Sequence, residues 1–276
     1  MDKLGLIAGG GALPISLAAH CHAVGRPLFV VRLKGFAGPE LEAYENAEAG
    51  VAELGKGIAA LRRANCVAVC MAGKVDRPDL AALKPDLRGL AALPGAIAAA
   101  RKGDDGLLTY MIREFEKEGF RVEGAHEVMS GLTLGRGPLG RIAPDSRHAS
   151  DVARALEAAR TIGALDIGQG AVACDGLILA LEAQEGTDAM LRRVANLPQP
   201  LRGTQAAPRG VLAKAAKPGQ ELRVDLPTIG PETVRRVVEA GIAGIAGATG
   251  QILVVDRDET IRLADQAGIF ILGVDE

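Results

Sequence analysis

The stretch "KLGLIAGGGALP" constrains the fold more than any other part of the chain. Its apolar run is short enough for a strand and is stopped by three glycines. "ALPISLAAHCHAVG" then carries helical character, with Gly25 as its stop. A second apolar run, "RPLFVVRLKG", follows at the spacing of a βαβ unit, which pairs strands in parallel through a right-handed crossover. "CVAVCMAGK" adds a near-continuous apolar strand of the kind buried on both faces, with Cys66 and Cys70 on one face. After an Ala/Leu-rich helical stretch come the amphipathic helix "DDGLLTYMIREFEKEGF" and a closing strand, "RVEGAHEVM". Residues 1–133 therefore read as an α/β domain with a doubly wound parallel sheet.

"GLTLGRGPLGRIAPDSRHAS" is rich in Gly, Pro and polar residues, and residues 134–150 read as a linker. Residues 151–276 read as a second α/β domain whose sheet is mixed. Its first helix is expected to be capped by Ser150 or Asp151. "QGAVACDGLILALEA" gives two strands around "CDG", and a helix begins near Thr187. "GVLAKAAKPGQELRVDLP" reads as a hairpin turning at Pro218-Gly219. In "GPETVRRVVEAG" Pro231 takes the first helical position and Gly241 lies just past the end. Two further strands flank the helix "RDETIRLADQAG".

At 276 residues, 48% of them hydrophobic, the chain can bury a proper core. A net charge of −2 and 3% aromatic residues exclude a nucleic-acid partner held by a basic field or stacking platforms. Glycines and Pro14 break the N-terminal apolar run, so it is no signal peptide. The Ala-rich stretch at 91–100 is too short to span a bilayer and contains Pro94 and Gly95. No amphipathic membrane helix stands out, and a cytoplasmic location is expected. Disulfides among Cys21, Cys66, Cys70 and Cys174 are then not expected, and Cys66 and Cys70 read as buried thiols. "HCH" at 20–22 points its side chains to different sides of a helix, which is poor chelate geometry.

Gly9 and Gly11 supply two glycines of a dinucleotide fingerprint, but Pro14 stands at the third and the second strand ends in "RLKG" without an acid. A nicotinamide cofactor is not expected. Gly10 and Gly11, at a strand end leading into a helix, suit a phosphate or nucleotide, and three consecutive glycines exceed what a turn needs. Gly73 and Lys74 follow another strand without a P-loop, which leaves Lys74 as a phosphate contact or a solvated lysine. Asp104 and Asp105 at a helix start suit a cap. In the expected hairpin, Glu221, Arg223 and Asp225 share one face with Lys214. "ALEAQEGTDAM" places Glu182, Glu185 and Asp188 where a strand gives way to a helix. Such carboxylates serve a magnesium ion working on phosphate, or simply a solvated helix start, and Thr187 with the helix amides can hold phosphate. The spacing leaves these alternatives open.

"LIAGGGALP", "GDDGLL", "LDIGQGAV", "ALEAQEGTDAM", "LAKAAKPGQELRVDLPTIGPETV" and "GIAGIA" occur in this order across the chain. Together they resemble the UDP-2,3-diacylglucosamine pyrophosphatases of the LpxI type. The resemblance implies a Rossmann-like N-terminal domain, a distinct C-terminal domain, and substrate in the cleft between them. It implies magnesium-dependent hydrolysis of the UDP-sugar lipid to UMP and 2,3-diacylglucosamine 1-phosphate (lipid X). The implied place is the cytoplasm, peripheral at the inner membrane, with membrane contact through the substrate. A homodimer stays open.

Asp225 becomes the implied catalytic carboxylate, as magnesium ligand or water orienter. Asp104, Asp105, Glu182, Glu185 and Asp188 follow as ligands or their supports. Lys214 and Lys217, with Arg223, would clamp the diphosphate. Gly10, Gly11, Gly73 and Lys74 would receive substrate, and Gln169 and Thr187 would bind sugar or phosphate oxygens. Glu221 stands where the family's run has an aspartate. Rival readings are a non-catalytic nucleotide-sugar binding protein and an NADP-linked oxidoreductase using Arg32 and Lys34.

Overall fold

The computed structural model describes residues 1–75, 83–101, 104–219, 221–224 and 226–275. The chain divides into two units, Met1–Ser130 with Glu221–Asp225, and Gly131–Gln220 with Leu226–Glu276.

The first unit runs β1 (Leu4–Ala8), α1 (Ala12–Ala23), β2 (Leu28–Leu33), β3 (Asn46–Ala49), α2 (Leu54–Arg63), β4 (Ala68–Ala72), α3 (Leu87–Ala100), α4 (Asp104–Lys117), β5 (Arg121–Val122) and α5 (Ala125–Val128). Its strands are all parallel, in the order β3-β2-β1-β4-β5. The chain steps outward from β1 and then returns to its other side, so the direction of winding switches between β1 and β4. Alternation along the strands turns Ile7, Val31 and Val69 to one face, where they pack with Ile58 and Leu61 of α2 and with Ile112 and Phe115 of α4. Gly5 lets α2 pack close to the sheet: a Cβ there would stand 2.2 Å from Leu61 Cδ2 and would push that side chain aside. The opposite face buries Leu4, Leu6, Val30 and Cys70, with α1 against β1 and β2 and α5 against β4.

Two expectations for this unit change. The closing strand is only β5, and "AHEV" forms α5. Cys66 and Cys70 also part company. β4 begins at Ala68, so Cys66 precedes the alternation and packs with Val69, whereas Cys70 faces the other side. All four thiols are buried. Burial pushes Cys66 and Cys174 up to about 11 and Cys70 up to about 12, which leaves them unreactive at neutral pH.

The second unit runs β6 (Gly137–Leu139), α6 (Ala149–Ala164), β7 (Gly170–Cys174), β8 (Leu177–Leu181), α7 (Gly186–Ala195), β9 (Val211–Lys214), β10 (Thr228–Ile229), α8 (Pro231–Glu239), β11 (Gly244–Ala248), β12 (Leu253–Val254), α9 (Arg257–Ala267) and β13 (Phe270–Val274). The main sheet has the order β6-β13-β11-β9-β7-β8, and β10 pairs with β12. It is mixed: β9, β11 and β13 are parallel, while β6 and β7 oppose their neighbours. Val152, Ala155 and Leu156 of α6 cover one face. The other is covered by Met190 and Val194 of α7, Val234 and Val237 of α8 and Ala264 of α9.

Three differences from the sequence reading have local causes. The stretch read as a linker contributes β6, which pairs with β13. Glycine permits this approach, since a Cβ on Gly273 would lie 1.8 Å from the Gly135 oxygen. The hairpin turning at Pro218-Gly219 is not formed by the described residues. β9 already has β7 on one edge and β11 on the other, so no edge is left for a returning strand. Glu221–Val224 instead makes a turn closed by the Val224 N–H donating to the Glu221 carbonyl at 3.1 Å. Neither Ser150 nor Asp151 caps α6, because a 3-10 turn capped by Asp145 precedes it. Asp151 is buried and accepts from the Asp175 N–H at 3.0 Å and the Gly176 N–H at 2.7 Å. These two residues have φ of 51° and 78°, the left-handed pair that a two-residue hairpin between β7 and β8 requires.

Candidate functional site

The directions of the strands bring the carboxyl ends of β8, β9, β11 and β13 to one edge of the second unit's sheet, where β7 begins. Ligands of open α/β sheets collect at such edges. Glu182 leaves β8 there, Gln169 and Gly170 enter β7, and Lys214 ends β9. Gly170 and Lys214 are register partners on adjacent antiparallel strands. Their Cβ directions share the sheet face that carries Val172 and Leu212.

Gly170 has no side chain, and Glu182 uses the space. A Cβ on Gly170 would stand 2.3 Å from Glu182 Oε2. Gly168 is needed for the same approach, since a Cβ on it would lie 2.1 Å from the Glu182 carbonyl oxygen. The Glu182 N–H donates to the Gly170 carbonyl at 2.8 Å, which holds the backbone in place. Glu182 is 6% exposed, yet its Oε2 has no hydrogen-bond partner, and Oε1 of Gln169 is buried without one as well. A buried carboxylate oxygen without a donor is costly. Lys214 is equally buried, and its Nζ donates to the Thr228 carbonyl at 3.1 Å.

The other expected residues fall out as follows. Lys217 pairs with Asp166 at 2.6 Å. Thr187 lies in the first turn of α7, half-buried. Glu185 pairs with Arg193 on the same helix; its own backbone N–H and Arg193 hold its carboxyl below the usual glutamate range. Asp188 is exposed. Glu182, Glu185 and Asp188 do not gather their oxygens at one point. Among the described residues, the group that brings three donor atoms within 4.8 Å of one another is Asp151, Cys174 and Asp175. That group suits a metal poorly: Asp151 is spent on two amides and Asp175 on Arg209 at 2.8 Å. Asp225 lies outside the described residues, as do the side chains of Asp104 and Asp105; the backbone of both begins α4. Arg223 is fixed by Glu221 at 2.8 Å and by Glu116 of α4 at 3.0 Å.

In the first unit the glycines are explained largely by packing. Gly10 and Lys74 form an antiparallel bridge in which each N–H donates to the other's carbonyl at 2.8 Å. A Cβ on Gly9 would stand 2.7 Å from the Lys74 oxygen, and one on Gly73 would stand 2.6 Å from Pro14. Backbone pairing thus spends the amides of Gly10 and Lys74 at the switch between β1 and β4. Gly11, with φ of 92°, is the one of the three with open space where a Cβ would be. Surface cavities of ≈ 410 and ≈ 380 Å³ in this unit are lined by Arg26, Arg121 and Glu123, and by Arg62, Arg88 and Glu118, with no expected site residue among the described lining.

Sequence reasoning missed the seat of Glu182. Its signal was present in "LDIGQGAV", where two glycines bracket Gln169.

The chain is thus a two-unit α/β protein, with a buried acid and a buried lysine at the carboxyl edge of the second unit's sheet, the place where open α/β sheets bind ligands. Residues 3–132 match the LpxI N-terminal domain and residues 135–272 the LpxI C-terminal domain. The chain is 60% identical over 275 residues, covering 100% of it and 98% of the relative, to a Caulobacter vibrioides protein named UDP-2,3-diacylglucosamine pyrophosphatase LpxI. The chain belongs to the LpxI family.

Proposed function

We propose that this protein hydrolyses the diphosphate of UDP-2,3-diacylglucosamine to UMP and 2,3-diacylglucosamine 1-phosphate, with magnesium. The full-length similarity to a pyrophosphatase of that name supports the reaction. The observation that carries the site is the buried, unpartnered Oε2 of Glu182 on the same sheet face as Lys214.

That oxygen fits magnesium, which takes one or two carboxylates and completes its shell with water and substrate phosphate. Glu182 would hold the ion, with Asp225 as the second carboxylate. When bound, magnesium neutralises the diphosphate and stabilises charge building on the leaving phosphoryl oxygen. Lys214 and Lys217 supply fixed positive charge to the same oxygens, and Thr187 offers a hydroxyl at the start of α7. Asp225 orients the attacking water and takes its proton as the new P–O bond forms and the anhydride P–O bond breaks. Contact of one substrate with residues of both units is part of the proposal and rests on the resemblance.

Hydrolysis in ¹⁸O-labelled water, with mass analysis of both products, tests the reading. UMP and the sugar 1-phosphate should form only with magnesium, one of them carrying the label. Binding of the UDP-lipid without release of UMP would leave a non-catalytic binding protein instead.

A further inference from the structure

Strand β10 and the two residues before it offer carbonyls to two different edges. The Pro227 carbonyl accepts from the Leu253 N–H at 2.8 Å and the Ile229 carbonyl from the Val255 N–H at 3.0 Å, which is the ladder to β12. Carbonyls alternate between the edges of an extended chain, so those of Leu226 and Thr228 face the other way. Among the described residues β10 has no strand on that second edge. Side chains serve it instead. The Lys214 Nζ donates to the Thr228 carbonyl at 3.1 Å, and the Thr228 hydroxyl donates to the Leu226 carbonyl at 3.1 Å. Leu226 is buried, and it is the residue at which the chain returns to the second unit directly after Asp225. Pro227 locks φ between the two bonded residues, so the hydroxyl closes a turn with little freedom left in it.

We propose that Thr228 is a positioning residue for the hydrolysis. Its carbonyl aims the buried ammonium of Lys214, and its hydroxyl pins the peptide through which the Asp225-bearing segment enters the second unit. The inference rests on the proposed function, in which Lys214 supplies charge to the diphosphate and Asp225 orients the water. Threonine hydroxyls close turns elsewhere with no part in chemistry. What sets Thr228 apart is its second bond: the residue that closes the turn after the acid also receives the cation. Acid and cation are thereby referred to one residue. Loss of the hydroxyl frees the segment that carries the acid, while the Lys214 bond, made to the backbone, survives. Thr228 touches no reacting atom in this reading and acts through Asp225. A displacement of about 1 Å in such a group costs on the order of a hundredfold in rate.

The test is steady-state UMP release by the full-length protein from detergent-dispersed UDP-2,3-diacylglucosamine with magnesium. Thr228→Val keeps the β-branched shape and removes the hydroxyl, Thr228→Ala removes it with less bulk, and Thr228→Ser retains it. Both variants without the hydroxyl should lose about thirtyfold to a hundredfold in kcat, with KM within about twofold and the unfolding temperature within a few degrees of wild type. Thr228→Ser should keep kcat within about threefold. In an Asp225→Asn background Thr228→Val should cost less than about twofold more, because the group it aims is already gone. Wild-type kcat in Thr228→Val and Thr228→Ala, an equal loss in Thr228→Ser, or the full loss repeated in the Asp225→Asn background overturns the inference. So does a rise in KM at unchanged kcat, which would make Thr228 a substrate contact. A wild type that releases no UMP sinks the hydrolysis reading and this inference with it, whereas wild-type turnover matched by both variants sinks the inference alone.

Discussion

Gly170 and Glu182 share one volume: the carboxylate oxygen Oε2 stands 2.3 Å from the place a Cβ on Gly170 would take. The acid is therefore positioned by a missing side chain on the neighbouring strand. Gly170→Ala should push the carboxylate aside while the strand pairing survives, and a displacement of about 1 Å in a reacting group costs on the order of a hundredfold in rate. Steady-state UMP release should fall by about that factor with an unchanged circular dichroism spectrum. Glu182→Gln, which keeps the shape and removes the charge, should weaken direct binding of manganese as a paramagnetic stand-in for magnesium. A variant with wild-type rate and wild-type metal affinity would take Glu182 out of the site.

Asp225→Asn tests the residue on which the chemistry of the proposal turns. The amide keeps the size and loses the charge, so it can neither accept the proton of the attacking water nor pair with a cation. Turnover should drop by about a thousandfold or more while thermal stability stays within a few degrees. Turnover near that of the wild type would move the chemistry to another carboxylate.

Much of the architecture was legible because period and punctuation carried it. The run Leu4–Ala8 stopping at glycines gave β1, and Pro231 and Gly241 bracketed α8 as an N-terminal proline and a C-terminal glycine should. The hairpin after β9 was misread for a reason no local pattern contains. Residues 221–226 alternate like a strand, but whether a strand forms depends on a free edge, and β7 and β11 had taken both. The acidic run 182–188 likewise looked like one ligand set. Only the fold shows that Glu182 turns inward beside Gly170 while Glu185 turns along α7 to Arg193. The glycine turn was the reverse case: its composition suggested a ligand, and the pairing of Gly10 with Lys74 spends much of it on closing the backbone.

The two backbone amides held by Asp151 give a prediction about stability rather than catalysis. The carboxylate is 3% exposed and fixes the β7–β8 turn from α6. Removing it takes the acceptor from the Asp175 and Gly176 N–H groups; both residues are exposed, so water replaces it in part, and the cost is about 1–2 kcal/mol. Asp151→Ala should lower the urea midpoint accordingly, with the denaturant slope unchanged. Asp151→Asn, which can still accept through one oxygen, should lose about half as much. Equal stability of the alanine variant would mean that the turn holds itself.

Glu114 gives the acid side of the stability curve. Its side chain is 4% exposed and sits between Arg88 at 2.6 Å and Lys117 at 2.7 Å. Burial is the largest single influence on its carboxyl and acts to raise the pKa, but the hydrogen bonds from Lys117 and Arg88 together outweigh it and hold the group below the ordinary glutamate range. A carboxylate whose pKa is lower in the folded than in the unfolded chain adds stability that is present above the unfolded value. That stability is lost as pH falls through the folded one. The difference in unfolding free energy between wild type and Glu114→Gln should therefore be constant from about pH 6 to pH 8 and shrink below about pH 4.5, where the unfolded glutamate begins to take up its proton. Because Arg88 also ties α3 to α4, the same variant should loosen α3, read as faster amide exchange over Leu87–Ala100 at neutral pH. A free-energy difference that stays flat down to pH 3, or exchange in α3 equal to that of the wild type, would show that the ion pair does not hold the helix.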